Sequence, residues 1–321
     1  MPQPTQNQVH INAPLTNLSI RYQQEAAFIA ERVFPGVNVR KQSDVYFTFD
    51  RGDWFRTEAK LRPPATESAG DGYELGDDTY FCHVYALHKD VDDQVRANAD
   101  TPLAPDREAT EFVTNGLLLK RDLDWASSYF GAGIWTTDLD GVAATPTAGQ
   151  FLQWNDAASD PIIDVATYQD IVLQATGKKP NVLVISQPVF TQLKNNPSII
   201  ERIKYTQRGV VTLELLASLL EVDEVIVAGA INNIAEEGAA DDMQFIIGKG
   251  ALLVYRAPSA GLNTVSGGYT FKWTGYSGRG GTAVSRFRMD KLKADRVEGE
   301  MTYDMKVIAP DVGVFFATAI A

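Results

Sequence analysis

One cysteine, three histidines and no long apolar run set the first limits on this sequence of 321 residues. A single thiol, Cys82, excludes an intrachain disulfide and any cysteine-rich metal site, and it is compatible with folding in a reducing cytoplasm. The histidines are His10, His83 and His88. The last two lie an odd number of residues apart on an expected strand, which sends them to opposite faces. A shared metal site is not expected, and Cys82 beside His83 diverges in the same way, so a Cys–His nucleophile is not expected either. No run approaches the ~18 apolar residues that a membrane span requires. The first residues are polar and proline-containing, without a basic segment followed by an apolar one, so no secretory leader is expected. Basic charge is also short: 29 Lys and Arg stand against 41 Asp and Glu, a net charge of −12. That removes the overall positive footprint of sequence-specific nucleic-acid binding. The sequence shows no internal repeat.

The short motifs fail on inspection. Asp90, Asp92 and Asp93 invite a calcium reading, but the later glycine and bidentate glutamate of an EF-hand loop are not where they should be. A solvated linker is the expectation there. Gly248-Lys249-Gly250 lacks the preceding glycine and the following Ser or Thr of a phosphate-binding loop. In residues 275–281, Arg279 occupies the last glycine's place of a nucleophile elbow. Arg51-Gly52-Asp53 beside a strand end marks a bend. No catalytic constellation emerges; no enzyme activity, cofactor or metal is expected.

What is present is an ordinary globular composition, 45% hydrophobic and 22% charged, at a length that suggests about two domains. The longest segment with one period is residues 105–130. Pro105 suits a first helical turn, Asp106, Glu108 and Glu111 put negative charge near the positive end of the helix, and Gly131 and Gly133 end it. At ~1.5 Å per residue this helix would be roughly 40 Å long. The spacing of Phe112, Gly116, Leu119, Leu123, Ala126 and Phe130 predicts its apolar stripe.

A polar arm precedes it, then a short helix from about Ile20 that stops at Phe34-Pro35-Gly36. Next come two alternating strands. Val45, Phe47 and Phe49 mark the first, and Tyr80, Cys82, Val84 and Ala86 the second. The polar, turn-rich stretch between them is too long for a compact domain and is expected to project; Trp54 and Phe55 near its base need cover. Residues 135–160 read as a surface stretch. From Pro161 a mixed α+β unit follows: a helix capped by Gly177, a strand at 181–185, short helices broken at Asn196-Pro197, a helix capped by Thr212, a strand at 225–227, and an expected hairpin of 245–247 with 252–255. Period-two alternation from Val297 to Val307 predicts a long strand paired with 283–291, and residues 312–319 are long enough to rejoin the second unit.

This order of segments resembles the major capsid proteins of tailed bacteriophages, the Hong Kong 97-type fold. The strings that carry the resemblance are residues 46–60, with Asp50-Arg51-Gly52-Asp53-Trp54-Phe55-Arg56, residues 80–89, residues 106–112, and Asp304-Met305-Lys306-Val307-Ile308-Ala309-Pro310. The resemblance implies an α+β chain with an N-terminal arm and short helix (1–44), a projecting β-hairpin or E-loop (45–89) and a P-domain first part (90–160) carrying a spine helix at 105–130. A compact mixed α/β A-domain (161–260), a P-domain second part with long antiparallel strands (261–311) and a C-terminal strand returning to the A-domain (312–321) complete it. It implies hexamers and pentamers of this chain closing into an icosahedral shell around double-stranded DNA, in the virion after assembly in the host cytoplasm. It also implies a portal, a scaffolding protein that is either separate or already removed, and no membrane; whether decoration proteins are partners as well is left open by the sequence. Trp54, Phe55, Arg56, Lys60, Arg62 and Tyr73 are expected to meet a neighbouring subunit. Covalent crosslinking through Lys60 is not carried over, because no partner asparagine or catalytic glutamate is matched. An encapsulin-like nanocompartment shell is the alternative with the same fold.

Overall fold

The computed structural model describes residues 28–49, 51–99, 103–204, 211–261, 264–277 and 282–321. The polar arm, the start of the helix expected from Ile20 and the end of the glycine loop at 278–281 lie outside the described residues. In chain order, α1 (Ala30–Val33), β1 (Gly36–Val39) and β2 (Ser43–Phe49) lead to α2 (Arg51–Trp54) and a long loop. β3 (Leu75–Phe81), β4 (His83–Asp92) and α3 (Asp93–Asn98) then precede the long helix α4 (Pro105–Tyr129). β5 (Thr137–Val142), β6 (Gln150–Leu152), α5 (Pro161–Thr176), β7 (Val182–Ser186), α6 (Gln187–Asn195), α7 (Pro197–Ile203) and α8 (Leu213–Leu219) follow. The chain continues through β8 (Glu224–Ala228), β9 (Ile231–Asn233), β10 (Met243–Phe245), β11 (Ala251–Val254) and β12 (Gly268–Trp273). It ends with α9 (Thr274–Ser277), β13 (Thr282–Met289), β14 (Ala294–Val307) and β15 (Gly313–Ala317).

Two sheets organise these elements. In the first, the order is β1-β12-β14-β13, with β4 also paired to β14. The 14-residue β14 is the rail: it is antiparallel to β13 from Met301 to Ala294, to β12 from Val307 to Tyr303, and to β4 from Tyr303 to Ala294. The second sheet has the order β6-β5-β15-β11-β7-β8. There β7 and β8 are parallel, joined through α6, α7 and α8, while β11 runs antiparallel to β7 and β15.

Local signals explain several boundaries. Asp160 accepts hydrogen bonds from the N–H groups of Ile162 and Ile163 at the start of α5, and Gly177 closes it in the left-handed region, φ 67°. Thr212 caps α8 by accepting from Leu215 N. Asn196 both ends α6 and caps α7 by accepting from Ser198 N, which is why the break falls at Asn196-Pro197.

The long helix has the expected span but a different buried face. Ala109, Val113, Leu117, Arg121, Asp122 and Trp125 are buried, whereas Phe112 is 58% exposed, with the Lys89 ammonium over its ring. Leu119 and Leu123 are only half-buried. Val113 and Leu117 face β14 across Gly299; a side chain at Gly299 would meet Val113 Cγ1 at 2.5 Å and Leu117 Cδ1 at 2.9 Å. The expected stripe is therefore rotated by about one residue, or ~100°, at Phe112, Leu119 and Leu123, while Ala126 and Phe130 do pack against the core as expected. It went astray because the true face carries two charged residues, Arg121 and Asp122, which apolar periodicity assigns to solvent.

The two sheets share one core. Val113, Leu117, Met301, Tyr303 and Met305 belong to the same apolar cluster as Trp125, Trp135 and Phe34. That cluster continues onto the second sheet through Val184, Ile226, Leu252 and Phe315. Phe34 sits at the joint, with ring centroids 5.9 Å from Trp125, 5.1 Å from Tyr129 and 6.4 Å from Trp135. The opposite face of the second sheet, through Leu183, Ile185, Leu253 and Phe316, packs on α5 to α8. Burying one such aromatic contributes roughly 1.5–3 kcal/mol to holding the two sheets together.

Two further expectations are corrected. Residues 135–160 are no surface stretch: β5 and β6 extend the second sheet, and Trp135, Leu139, Phe151 and Trp154 are buried. The Gly, Thr and Ala between those anchors hid the pattern. The expected hairpin of 245–247 with 252–255 does not form. β10 pairs with β9, and β11 lies between β15 and β7. Residues 312–319 do return to this sheet, where β15 sits between β11 and β5.

A carboxyl group in this second lobe has an energetic consequence. Asp164 accepts a hydrogen bond from Trp154 Nε1 at 3.1 Å. Burial pushes its pKa up to about 6; the Trp154 hydrogen bond opposes this and nearby Asp160 adds to it. A folded-state value above the unfolded one means that the contribution to stability is complete below the ordinary carboxyl range and is lost as pH rises through about 6. Asp164→Asn keeps the acceptor and removes the charge. At pH 8 it is expected to stabilise the chain by about 1–2 kcal/mol, a value discounted for partial solvent access, with the gain gone at pH 4. Urea unfolding at both pH values checks this, and an equal effect at the two would refute it.

Candidate assembly surfaces

The element expected to project starts as a two-stranded hairpin. β2 and β3 pair from Ser43↔Phe81 to Phe49↔Leu75, and Tyr46 Oη donates to Asp78 Oδ2 across the pair at 2.7 Å. Its root is fixed to β12: the Tyr80 ring stacks on Phe271 at 4.6 Å, and Tyr46 lies 5.5 Å from the same ring. Beside this root runs an apolar groove of about 220 Å³, lined by Val37, Phe47, Tyr269 and Ile308 among others. Farther out the hairpin is bare. Val45, Phe47 and Leu75 are exposed, and an isolated two-stranded ribbon is marginal in water.

The strand leaving the hairpin changes sheets at Cys82. The expected single face of Tyr80, Cys82, Val84 and Ala86 is broken there. Tyr80 and Cys82 are buried, Val84 is exposed, and the inward positions on β4 are Tyr85, Leu87 and Val91. Cys82 N donates to Gln42 O at 2.8 Å and Gln42 Nε2 donates to Cys82 O at 3.1 Å, so Cys82 belongs to neither strand. Burial pushes its thiol up to about 12, which leaves it without thiolate chemistry at neutral pH.

Residues 55–74 carry no helix or strand. Trp54 is 61% exposed, Phe55 68% and Leu61 96%. Of the six residues singled out from the sequence, two meet: the Trp54 and Tyr73 rings lie 5.7 Å apart. Asp53 Oδ2 accepts from Glu74 N at 2.9 Å and pins the loop's two ends. Phe55 lies against Gly177 of the same chain, where an added side chain would meet Phe55 Cζ at 3.0 Å. Arg62 Nε donates to Thr66 O, Lys60 pairs with Glu58 at 3.7 Å, and Arg56 is exposed. The six thus line an extended surface and do not converge on a pocket.

The acidic run at 90–93 is spent on structure. It is the end of β4 and the start of α3, not a solvated linker. Asp90 takes a two-pronged hydrogen bond from Arg296 at 2.7 and 2.9 Å, Asp93 pairs with Arg288, and Asp92 caps α3 by accepting from Gln94 N.

Sequence reading missed an anchor beneath the long helix. Asp122 is fully buried and accepts from Ile29 N at 2.7 Å and Ala30 N at 3.1 Å. Burial raises its carboxyl above the usual range, against those two N–H groups and Arg121. Next to it, burial of Glu31 is outweighed by Lys272 and Arg121, which hold that carboxyl low. The one sequence signal was a charged pair interrupting an apolar stripe.

No family model matches the chain. Among curated proteins it is 28% identical over 315 residues to the major capsid protein of Pseudomonas phage JBD67, covering 97% of each chain. It is also 28% identical over 229 residues to the major capsid protein of Burkholderia phage BcepMu, covering 69% of each. Among solved structures it resembles a phage-related protein from Bordetella bronchiseptica, with TM-score 0.68, 22% identity and coverage of 93% and 94%. The capsid of cyanophage P-SCSP1u gives TM-score 0.61 at 11% identity, covering 96% and 92%. An encapsulin from Synechococcus elongatus gives 0.56 at 12%, also covering 96% and 92%. The fold is therefore of the Hong Kong 97 type, shared by phage capsids and encapsulins. The two curated relatives decide between these branches: over 97% of its length the chain is similar to a bacteriophage major capsid protein, the structural component of an icosahedral virion shell.

Proposed function

We propose that this chain builds its shell by laying the hairpin and loop of residues 45–89 over a neighbouring subunit, with Trp54, Phe55, Arg56, Lys60, Arg62 and Tyr73 at that contact. The observation that carries the reading is the bare apolar surface of the projection. Phe47, Trp54, Phe55, Leu61, Tyr73 and Leu75 are all exposed on one element whose root is rigidly held. A patch of that kind marks an interaction site, and in a shell protein the available partner is a second copy. The helix α4 and strand β14 serve as the rigid spine and the second sheet as the lobe that meets its neighbours around hexamer and pentamer axes. A separate scaffolding protein and a portal are the further partners of assembly, with decoration proteins where the outer face is covered. The shell encloses double-stranded DNA without sequence-specific contacts, and an acidic surface keeps phosphate attraction weak.

Electron microscopy of the purified chain, alone and with its scaffold, tests the reading. Closed particles tens of nanometres across are expected, and a persistent monomer in both preparations would contradict it. The encapsulin branch predicts packaged protein in those particles and no DNA.

A further inference from the structure

The long helix α4 carries more apolar surface than its own sheet covers. Val113, Leu117 and Trp125 belong to the core, while Phe112, Leu119 and Leu123 lie on another face. Their spacing keeps these three on one stripe of the helix. Phe112 is 58% exposed, and Leu119 and Leu123 are half-buried. None of the three joins an apolar cluster of the described residues. From Phe112 to Leu123 the stripe runs roughly 16 Å, at ~1.5 Å per residue.

The chain itself supplies a cover that arrives in the right place. Residues 1–27 lie outside the described residues, and the backbone just after them is fastened to this helix. Ile29 N donates to Asp122 Oδ2 at 2.7 Å, and Ala30 N donates to Asp122 Oδ1 at 3.1 Å. Asp122 adjoins Leu123 and lies within one turn of Leu119, so the segment enters beside one end of the stripe. In its sequence Leu15, Leu18, Tyr22 and Ala26 recur at the spacing of a helical apolar stripe. Leu15 and Ala26 stand as far apart in sequence as Phe112 and Leu123 do. The tether also selects the occupant. Ala26 is three residues from the fastened Ile29, so it can stray at most about 11 Å from it. A tether that short holds the segment at a high effective concentration over its own helix, ahead of any neighbour's.

We infer that residues 15–26 dock along the outward stripe of α4 in their own chain, with Leu15, Leu18 and Tyr22 covering Phe112, Leu119 and Leu123. The inference stands apart from the shell reading, because both surfaces belong to one subunit.

Thiol labelling of the unassembled subunit tests it. Cys82 is buried and its thiol is pushed up to about 12 by that burial, so it stays silent to a maleimide at neutral pH. Leu119→Cys puts a reporter in the stripe, and Ser127→Cys puts one at an exposed position of the same helix. Removal of residues 1–26 is expected to raise the labelling rate at Leu119→Cys at least tenfold and at Ser127→Cys less than twofold. L15S/L18S/Y22S in the full-length chain is expected to match the removal. Phe112→Cys, at an exposed position, repeats the measurement free of any packing loss at Leu119, and circular dichroism checks the fold of each chain. Equal labelling of the full-length and shortened chains would overturn the docking. Protection that falls on dilution, or that arises only in assembled particles, would assign the stripe to a neighbour's segment and overturn it as well.

Discussion

A chain in which residues 58–72 are replaced by two glycines is expected to fold normally and to form no particles. The folding half follows from burial. Every residue from Thr57 to Tyr73 is exposed, and none belongs to an apolar core cluster. The cut ends are already close, since Asp53 holds Glu74 N at 2.9 Å and the Trp54 and Tyr73 rings meet at 5.7 Å. Shortening an exposed loop changes closure entropy little, so stability should stay within about 0.5 kcal/mol of wild type. β2 and β3 are left whole, which a cut reaching into Leu75–Phe81 would not allow. The assembly half follows from what is lost: Lys60, Leu61 and Arg62 leave with the loop, and Trp54 and Phe55 lose the surface they extend. Thermal melting and particle counts from the same preparation separate the two halves. Particles of normal size and yield would show that the loop is not the neighbour's handhold.

Asp122→Ala is expected to lower stability by about 3 kcal/mol, the largest effect of any single substitution considered. Two N–H donors, on Ile29 and Ala30, lose their acceptor at a site with 2% and 0% exposure. Each orphaned buried donor costs about 1–3 kcal/mol. Release of a costly buried carboxylate offsets part of that, which is why the sum is not larger. Asp122→Asn keeps one acceptor and turns its amide toward the second N–H, so an intermediate loss of about 1–2 kcal/mol is expected. The segment released is the entry of α1, which carries Phe34 into the joint between the lobes. Loss of the anchor should therefore broaden the unfolding transition as the lobes uncouple. A urea midpoint unchanged from wild type would show that the hydrogen bonds contribute nothing net.

The sequence by itself determined the elements whose physics is local. Pro105 and the acids after it start α4, Asp160 and Gly177 bracket α5, and Asn196-Pro197 splits α6 from α7, because caps and proline act within one turn. Strict alternation from Val297 to Val307 foretold β14, because a strand with one covered face writes its period into the chain. The order of these elements, with the quoted strings, was enough for the capsid family. Only the tertiary structure decided which face of α4 is inward, since Arg121 and Asp122 are buried through partners about 90 residues away. It alone showed that the strand alternation breaks at Cys82, where the chain passes between two sheets and takes a hydrogen bond from Gln42. It alone placed β5 and β6 in the second sheet and sent β11 away from β10, because a strand's sequence records that it is covered and not by what. The proposed assembly surface divides in the same way. Trp54 and Phe55 in a polar stretch were visible as apolar groups needing cover, but the bare side of the hairpin was not. That Phe47 stays exposed while Tyr46 is covered depends on packing against Phe271, which no local period records.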